Sequence, residues 1–238
     1  MAQTVFQRYE LKYMLTKAQK RNILKAMEPY MELDEYGRTT IRNIYYDTGN
    51  YRLVRRSIEK PAYKEKLRIR SYSQAKPDSG VFVELKKKYQ DVVYKRRVLM
   101  KEEAAREWIL GRRPCGMDTQ ISNEIDYFLS YYQTLRPAVF LSYEREAYGA
   151  IDRSDFRVTF DDTILFRKED LSLGSVAYGT PLLPEGMALM EIKCSGGIPI
   201  WMAQALSKGK IYKTSFSKYG TAYRRMMSRG QREEGRYA

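Results

Sequence analysis

The stretch "KEKLRIRSY", residues 64–72, places a cation at Lys64, Lys66, Arg68 and Arg70, with Glu65, Leu67 and Ile69 between them. Successive side chains of a β-strand point to opposite faces, so this segment reads as a strand with four positive charges on one face and an apolar strip on the other. Such a row repels itself unless it faces an anion. The same alternation recurs along the chain. "RYELKY" (8–13) sets Arg8, Glu10 and Lys12 against Tyr9, Leu11 and Tyr13. "VFVELKKK" (81–88) sets Glu84, Lys86 and Lys88 against Val81, Val83 and Leu85. In "VVYKRRV" (92–98), Lys95 and Arg97 oppose Tyr94 and Val98, although Arg96 interrupts the apolar side. Arg145 shares a face with Leu141, Tyr143 and Ala147; Asp155, Arg157, Thr159 and Asp161 oppose Phe156, Val158 and Phe160; Glu191 and Lys193 oppose Met190, Ile192 and Cys194.

Eight segments carry this period of two, at 4–13, 39–48, 60–72, 80–89, 91–99, 136–148, 155–163 and 187–194. They are rich in Val, Ile, Tyr and Phe and bounded by turn residues, and a tight Gln90-Asp91 turn joins the fourth and fifth as a hairpin. Helical spacing predicts a helix over 16–32 capped by Thr16, further helices over 102–110 and 118–134, one opened by Pro199 in its first turn, and one in the tail from 215. Residues 167–186 read as loop. The expected architecture is α+β, an eight-stranded antiparallel β-barrel with helices packed outside. Helices that cover the outside need apolar strand faces there, which turns the charged faces toward the lumen. One domain over 1–228 and a frayed tail over 229–238 are expected.

The net charge of +14 calls for an anionic partner. Histidine is absent, which excludes Ser-His and Cys-His triads and the usual zinc ligand. Only Cys115 and Cys194 are available for a disulfide, so a reducing cytoplasm is the expected location. The start lacks a signal-peptide pattern and no window approaches 18 apolar residues. A lumen of unpaired cations carries a desolvation cost of several kcal/mol, roughly, per charge. A phosphate chain relieves it, because it offers oxygen faces to Arg and point contacts to Lys. Glu10, Glu84 and Glu191 each precede a lysine by two positions. They can pair with those lysines, or hold Mg²⁺ or Mn²⁺ against phosphate. No P-loop pattern is present. A nucleic-acid-binding barrel is disfavoured if the basic residues are luminal.

"RYELKY", "IYYDT", "KLRIRSY", "VFVELKKK", "VVYKRR", "LSYEREAY", "MEIKC" and "SFSKYG", in this order, resemble the VTC domain, the catalytic domain of vacuolar transporter chaperone polyphosphate polymerases. The resemblance covers about residues 4–225 and places the chain among the triphosphate tunnel metalloenzymes. It implies transfer of the γ-phosphate of a nucleoside triphosphate to inorganic polyphosphate, assisted by Mn²⁺ or Mg²⁺. By motif, Lys12, Arg68, Arg70, Lys86, Arg145 and Lys193 are expected to form the phosphate-binding wall, with Ser217 and Lys218 at one tunnel mouth. Lys66, Lys88, Lys95, Arg97 and Arg157 extend the basic faces toward substrate. Arg68, Arg70, Lys86, Arg145 and Glu191 are expected at the reacting phosphate. Glu191 is the main expected metal carboxylate, with Glu10 and Glu84 as further candidates. Arg8 stands where hydrolytic tunnel enzymes carry a first carboxylate, which favours polymerase over triphosphatase. The rival readings are a tripolyphosphatase or nucleoside triphosphatase, and a non-catalytic polyphosphate or inositol-phosphate binding module. Eukaryotic relatives work in a membrane complex, so recruitment to a membrane protein partner is the implied route to any membrane surface.

Overall fold

The computed structural model describes residues 9–90 and 92–234, with 229–234 described by backbone alone. In chain order its elements are β1 (Tyr9–Leu15), α1 (Lys17–Met27), β2 (Met31–Leu33), β3 (Thr39–Asp47), α2 (Arg52–Ile58), β4 (Tyr63–Ser71), β5 (Gly80–Tyr89) and β6 (Val92–Lys101). Then follow α3 (Glu102–Ile109), α4 (Gln120–Tyr132), β7 (Arg136–Ala150), β8 (Arg157–Arg167), β9 (Thr180–Pro181), β10 (Ala188–Cys194), α5 (Ile200–Lys208) and α6 (Lys218–Glu234). The protein is α+β and its strand ladders are antiparallel. All eight expected strands are present; the short β2 and β9 pair with β7 and β8. Residues 4–8 of the first expected strand, Arg8 among them, and Asp91 and residues 235–238 lie outside the described residues, while residues 229–234 of the expected frayed tail continue α6. No described helix is long and apolar enough to cross a membrane.

The chain forms two compact units. The first comprises Met1–Thr40, Tyr143–Ile164 and Leu183–Phe216. Here β1 pairs with β10 so that Lys12 lies opposite Glu191, and β10 pairs with β8 so that Glu191 lies opposite Thr159. The alternating apolar residues Tyr13, Leu15, Val158, Phe160, Met190 and Ile192 are buried against Ile23 and Met27 of α1 and Met202 and Leu206 of α5. Each such side chain contributes about 1.5–3 kcal/mol on full burial. Thr16 and Gln19 form the capping box that starts α1. That helix ends at Met27, earlier than its periodicity suggests, because the chain turns into β2. Pro199 is the N-cap of α5 rather than a residue of its first turn.

The second unit comprises Ile41–Ser142, Leu165–Leu182 and Ser217–Ala238. Its ladder runs β3–β4–β5–β6. Leu67, Ile69, Val81, Val83 and Leu85 are buried under Trp108 of α3 and Ile125, Phe128 and Tyr132 of α4. Arg96, which interrupts the apolar side of β6, is met by Glu124 of α4, which also binds Lys87. The charge on the helix side is thus neutralised locally.

Helix α2 is not foreseen from sequence. Seven residues carry too little periodicity, and its start is organised from a distance: the buried Asp47 carboxylate accepts from the backbone N–H groups of Thr48, Leu53 and Val54. The loop after β8 is held by the buried Arg167. Its guanidinium donates to the carbonyls of Asp170, Ser172, Val176 and Tyr178 and lies 3.6 Å from the centre of the Phe140 ring.

Candidate functional site

The charged face of the second unit follows directly from strand register. Across β4, β5 and β6, Arg68 lies opposite Glu84 and Glu84 opposite Arg97; Lys66 lies opposite Lys86 and Lys86 opposite Lys95; Lys64 lies opposite Lys88. With Arg70, and with Lys101 opposite Gly80 at the end of β6, that puts nine cations and a single carboxylate on this face of the three strands.

Glu84 is the pivot. It is 1% exposed. Its Oε2 accepts from Arg68 Nε at 2.8 Å and Nη2 at 2.6 Å, Lys95 Nζ is 2.7 Å from Oε1, and Arg70 Nε is 3.9 Å away. Burial alone would raise its pKa, but Arg68, Arg70 and Lys95 together hold it far below the usual carboxylate range. Among the described residues, Glu84 thus meets Arg68, Arg70 and Lys95 and serves as a counter-ion of the cationic sheet. The same crowding acts on Lys95: burial, then the nearby arginines, push its ammonium down to about 8 against the opposing pull of Glu84.

The remaining contacts orient the cations. Arg70 is buried and donates from Nε to the buried Asn43 at 2.9 Å, and Asn43 donates to the carbonyl of Leu141. Arg68 also donates to the Tyr45 hydroxyl at 2.8 Å, and Tyr45 stacks on Tyr219 with ring centres 4.8 Å apart. The Tyr219 hydroxyl donates to Asp47 at 2.8 Å. Lys66 donates to Ser217 at 3.1 Å, and Ser217 in turn accepts from the Gly220 N–H in the first turn of α6. Lys218 opens that helix and is half-buried. Lys66, Arg68, Arg70, Lys86, Lys88, Lys95, Arg97, Glu84 and Ser217, all expected site residues, are thus gathered in one unit.

The first unit gathers the others in a different balance of charge. Lys12 Nζ lies 3.2 Å from Glu10 and 3.4 Å from Glu191, and donates to the carbonyl of Phe216. Arg145 makes a bidentate pair with Asp161 at 2.6 and 2.7 Å and places Nη2 3.6 Å from Glu191. Lys193 is 4.0 Å from Glu191. Arg157 pairs with Asp34 at 3.0 Å and is half exposed. Asp161 is fully buried, and the buried Thr159 hydroxyl has no hydrogen-bond partner among the described residues.

Glu10 and Glu191 are hard oxygen donors converging on one ammonium. They fit a small divalent cation that takes one or two carboxylates and completes its shell with phosphate oxygens and water. No group of three or more His, Cys, Asp or Glu side chains among the described residues is placed to hold a metal.

Asn43, Tyr45 and Asp161 are missed by the sequence reading. Asp161 lies on the charged side of "DFRVTFD", and its spacing was visible; what was invisible is that Arg145 lies against it. Asn43 and Tyr45 alternate within "RNIYYD", where neighbouring aromatics mask the polar side.

The VTC domain family matches residues 7–227. No curated protein sequence matches. Among solved structures, a candidate adenylate cyclase from Bacillus halodurans superposes with a TM-score of 0.55 at 13% identity, covering 91% of this chain and 96% of that one. A candidate adenylyl cyclase from Hippeastrum, described as having a dominant triphosphatase activity, superposes with a TM-score of 0.52 at 12% identity, covering 88% and 92%. At these identities the likeness is one of fold.

Proposed function

Since the chain belongs to the VTC domain family, we propose that it is a phosphotransferase that moves the γ-phosphate of a nucleoside triphosphate onto a growing inorganic polyphosphate chain. The observation that carries this reading is the face of nine cations around Glu84 on β4, β5 and β6. A face so unbalanced in charge suits a ligand with many anionic oxygens, and phosphoryl transfer needs positioning and charge neutralisation above all.

In this reading Arg68 and Arg70 present rigid guanidinium forks to phosphate oxygens, while Lys66, Lys86 and Lys88 follow the chain as point charges. Glu84 and Asn43 fix the two arginines in advance, so little order is lost when substrate binds. On the first unit, Arg145, clamped by Asp161, with Lys12 and Lys193, forms a separate set of donors suited to phosphate. The acceptor is the terminal oxygen of polyphosphate, already anionic near neutral pH, so no general base is needed in a chain without histidine. Glu191 and Glu10 would hold Mn²⁺ or Mg²⁺, which when bound neutralises phosphate charge.

Incubation with ATP and Mn²⁺, followed by electrophoresis on a urea gel, tests the reading. Long polyphosphate chains are expected; orthophosphate as the sole product overturns it. That second outcome would favour a triphosphatase, the activity described for the Hippeastrum protein.

A further inference from the structure

Beyond its basic rows, the charged face of the second unit changes character at one end. Phe82 of β5 lies opposite Arg70 on one side and Leu99 of β6 on the other. It therefore shares the face of Glu84 and Lys86 and continues their line. Tyr72, just past the end of β4, meets the Phe82 ring edge-on with centres 5.9 Å apart. The Arg97 guanidinium lies over the same ring, 4.9 Å from its centre. Tyr72 is 44% exposed and Leu99 59% exposed. Gly80 bears no side chain at the neighbouring position, and Leu99 Cδ1 lies 3.4 Å from where a Cβ would stand, so Leu99 packs against this glycine, while the exposed Lys101 lies opposite it.

Exposed aromatic and aliphatic groups are out of place on a charged face unless they meet an apolar surface. The surface must also tolerate a guanidinium beside it. A nucleobase has both properties: a π-face for stacking and edges that accept hydrogen bonds from Arg. The geometry also suits a base joined to phosphates. From Phe82 to Lys86 is four residues, about 13 Å at the strand rise, comparable with the span from base to γ-phosphate in an extended nucleoside triphosphate.

We propose that Tyr72, Phe82 and Leu99, with Arg97, form a nucleobase-binding platform at one end of the phosphate face, which seats the nucleotide while Arg68, Arg70 and Lys86 take its phosphates. This rests on the phosphate-binding reading above. The platform stacks the base without reading its identity, because it offers faces and a single guanidinium rather than a set of buried polar groups.

Calorimetric titration with ATP and with tripolyphosphate separates base from phosphate. The wild-type protein is expected to bind both. A Tyr72→Ala/Leu99→Ala variant is expected to bind ATP about tenfold more weakly, the lower range for loss of one stacked base, with tripolyphosphate affinity unchanged. Unchanged tripolyphosphate binding also shows that the variant is folded. A second variant, Tyr72→Trp, is expected to show tryptophan quenching by ATP and none by tripolyphosphate. Equal losses for both ligands, or an unaltered ATP affinity, would overturn the platform. Failure of the wild-type protein to bind tripolyphosphate would instead remove the phosphate reading, and the platform with it.

Discussion

Glu84→Gln removes the negative charge at the centre of the cationic face while keeping the side chain's size. In the native protein that carboxylate is 1% exposed and satisfies Arg68 through two hydrogen bonds of 2.6 and 2.8 Å and Lys95 at 2.7 Å. Breaking a buried ion pair from one side costs roughly 3–5 kcal/mol. The Lys95 side chain is 41% exposed, so its share is screened and the lower end applies. A loss of about 3 kcal/mol lowers the melting temperature by about 6–12 °C in a chain of this size. The folded pKa of Glu84 is depressed, so its contribution is complete above the ordinary value of 4.5 and is lost only as pH falls through its strongly acid folded value. The wild-type and variant melting curves should therefore differ undiminished from pH 6 to 7, with the Lys95 share shrinking as pH approaches 8. Added tripolyphosphate should narrow the gap, because its oxygens replace the missing counter-ion and ligand binding stabilises the folded state. The Mn²⁺ concentration needed for half-maximal activity should not change. Thermal melts and a metal titration make the test. An unshifted melting temperature together with a raised Mn²⁺ requirement would refute the counter-ion role and make Glu84 a metal ligand.

Three further outcomes are expected. With its ammonium pushed down to about 8, Lys95 loses its proton as pH rises through that value, so tripolyphosphate affinity should fall above pH 8; Lys95→Arg should flatten that fall, and a persistent decline in the variant would assign it elsewhere. Asp161→Asn releases one side of the bidentate Arg145 pair in a fully buried position and should cost about 3–5 kcal/mol in urea unfolding; an unchanged midpoint would contradict the clamp. Arg167→Lys keeps the charge but loses the planar fork that binds four carbonyls, and should make residues 168–178 exchange amide hydrogens faster than the strands around them, an effect whose absence would show that the loop holds itself.

The ladders were legible because strand alternation is a local signal: Leu67 and Ile69 against Arg68 and Arg70 already define both faces of β4. The N-cap at Thr16 was legible for the same reason. What escaped depends on distance in sequence. Asp47 caps α2 from outside the helix and binds Tyr219, 172 positions away. Arg145 and Asp161 meet only once β7 and β8 are in register. Glu84 could be placed on the basic face by alternation, yet its role follows from Arg68 and Lys95 arriving from neighbouring strands. Arg96 looked like a flaw in an apolar face because its partner, Glu124, belongs to a helix whose docking the strand pattern does not encode.

The central claim, that the cationic face of β4, β5 and β6 binds the phosphate chain, is tested most directly at the Lys66–Lys86 pair, opposite one another in the ladder and both half-buried. Lys66→Gln/Lys86→Gln removes two charges with little change in shape. Each charge-assisted contact is worth about 1.5–3 kcal/mol when dry and less when partly wet. Calorimetry should show tripolyphosphate binding weakened by roughly 10- to 100-fold, with a shallower dependence on salt. Unaltered affinity and salt dependence in a folded variant would contradict the account.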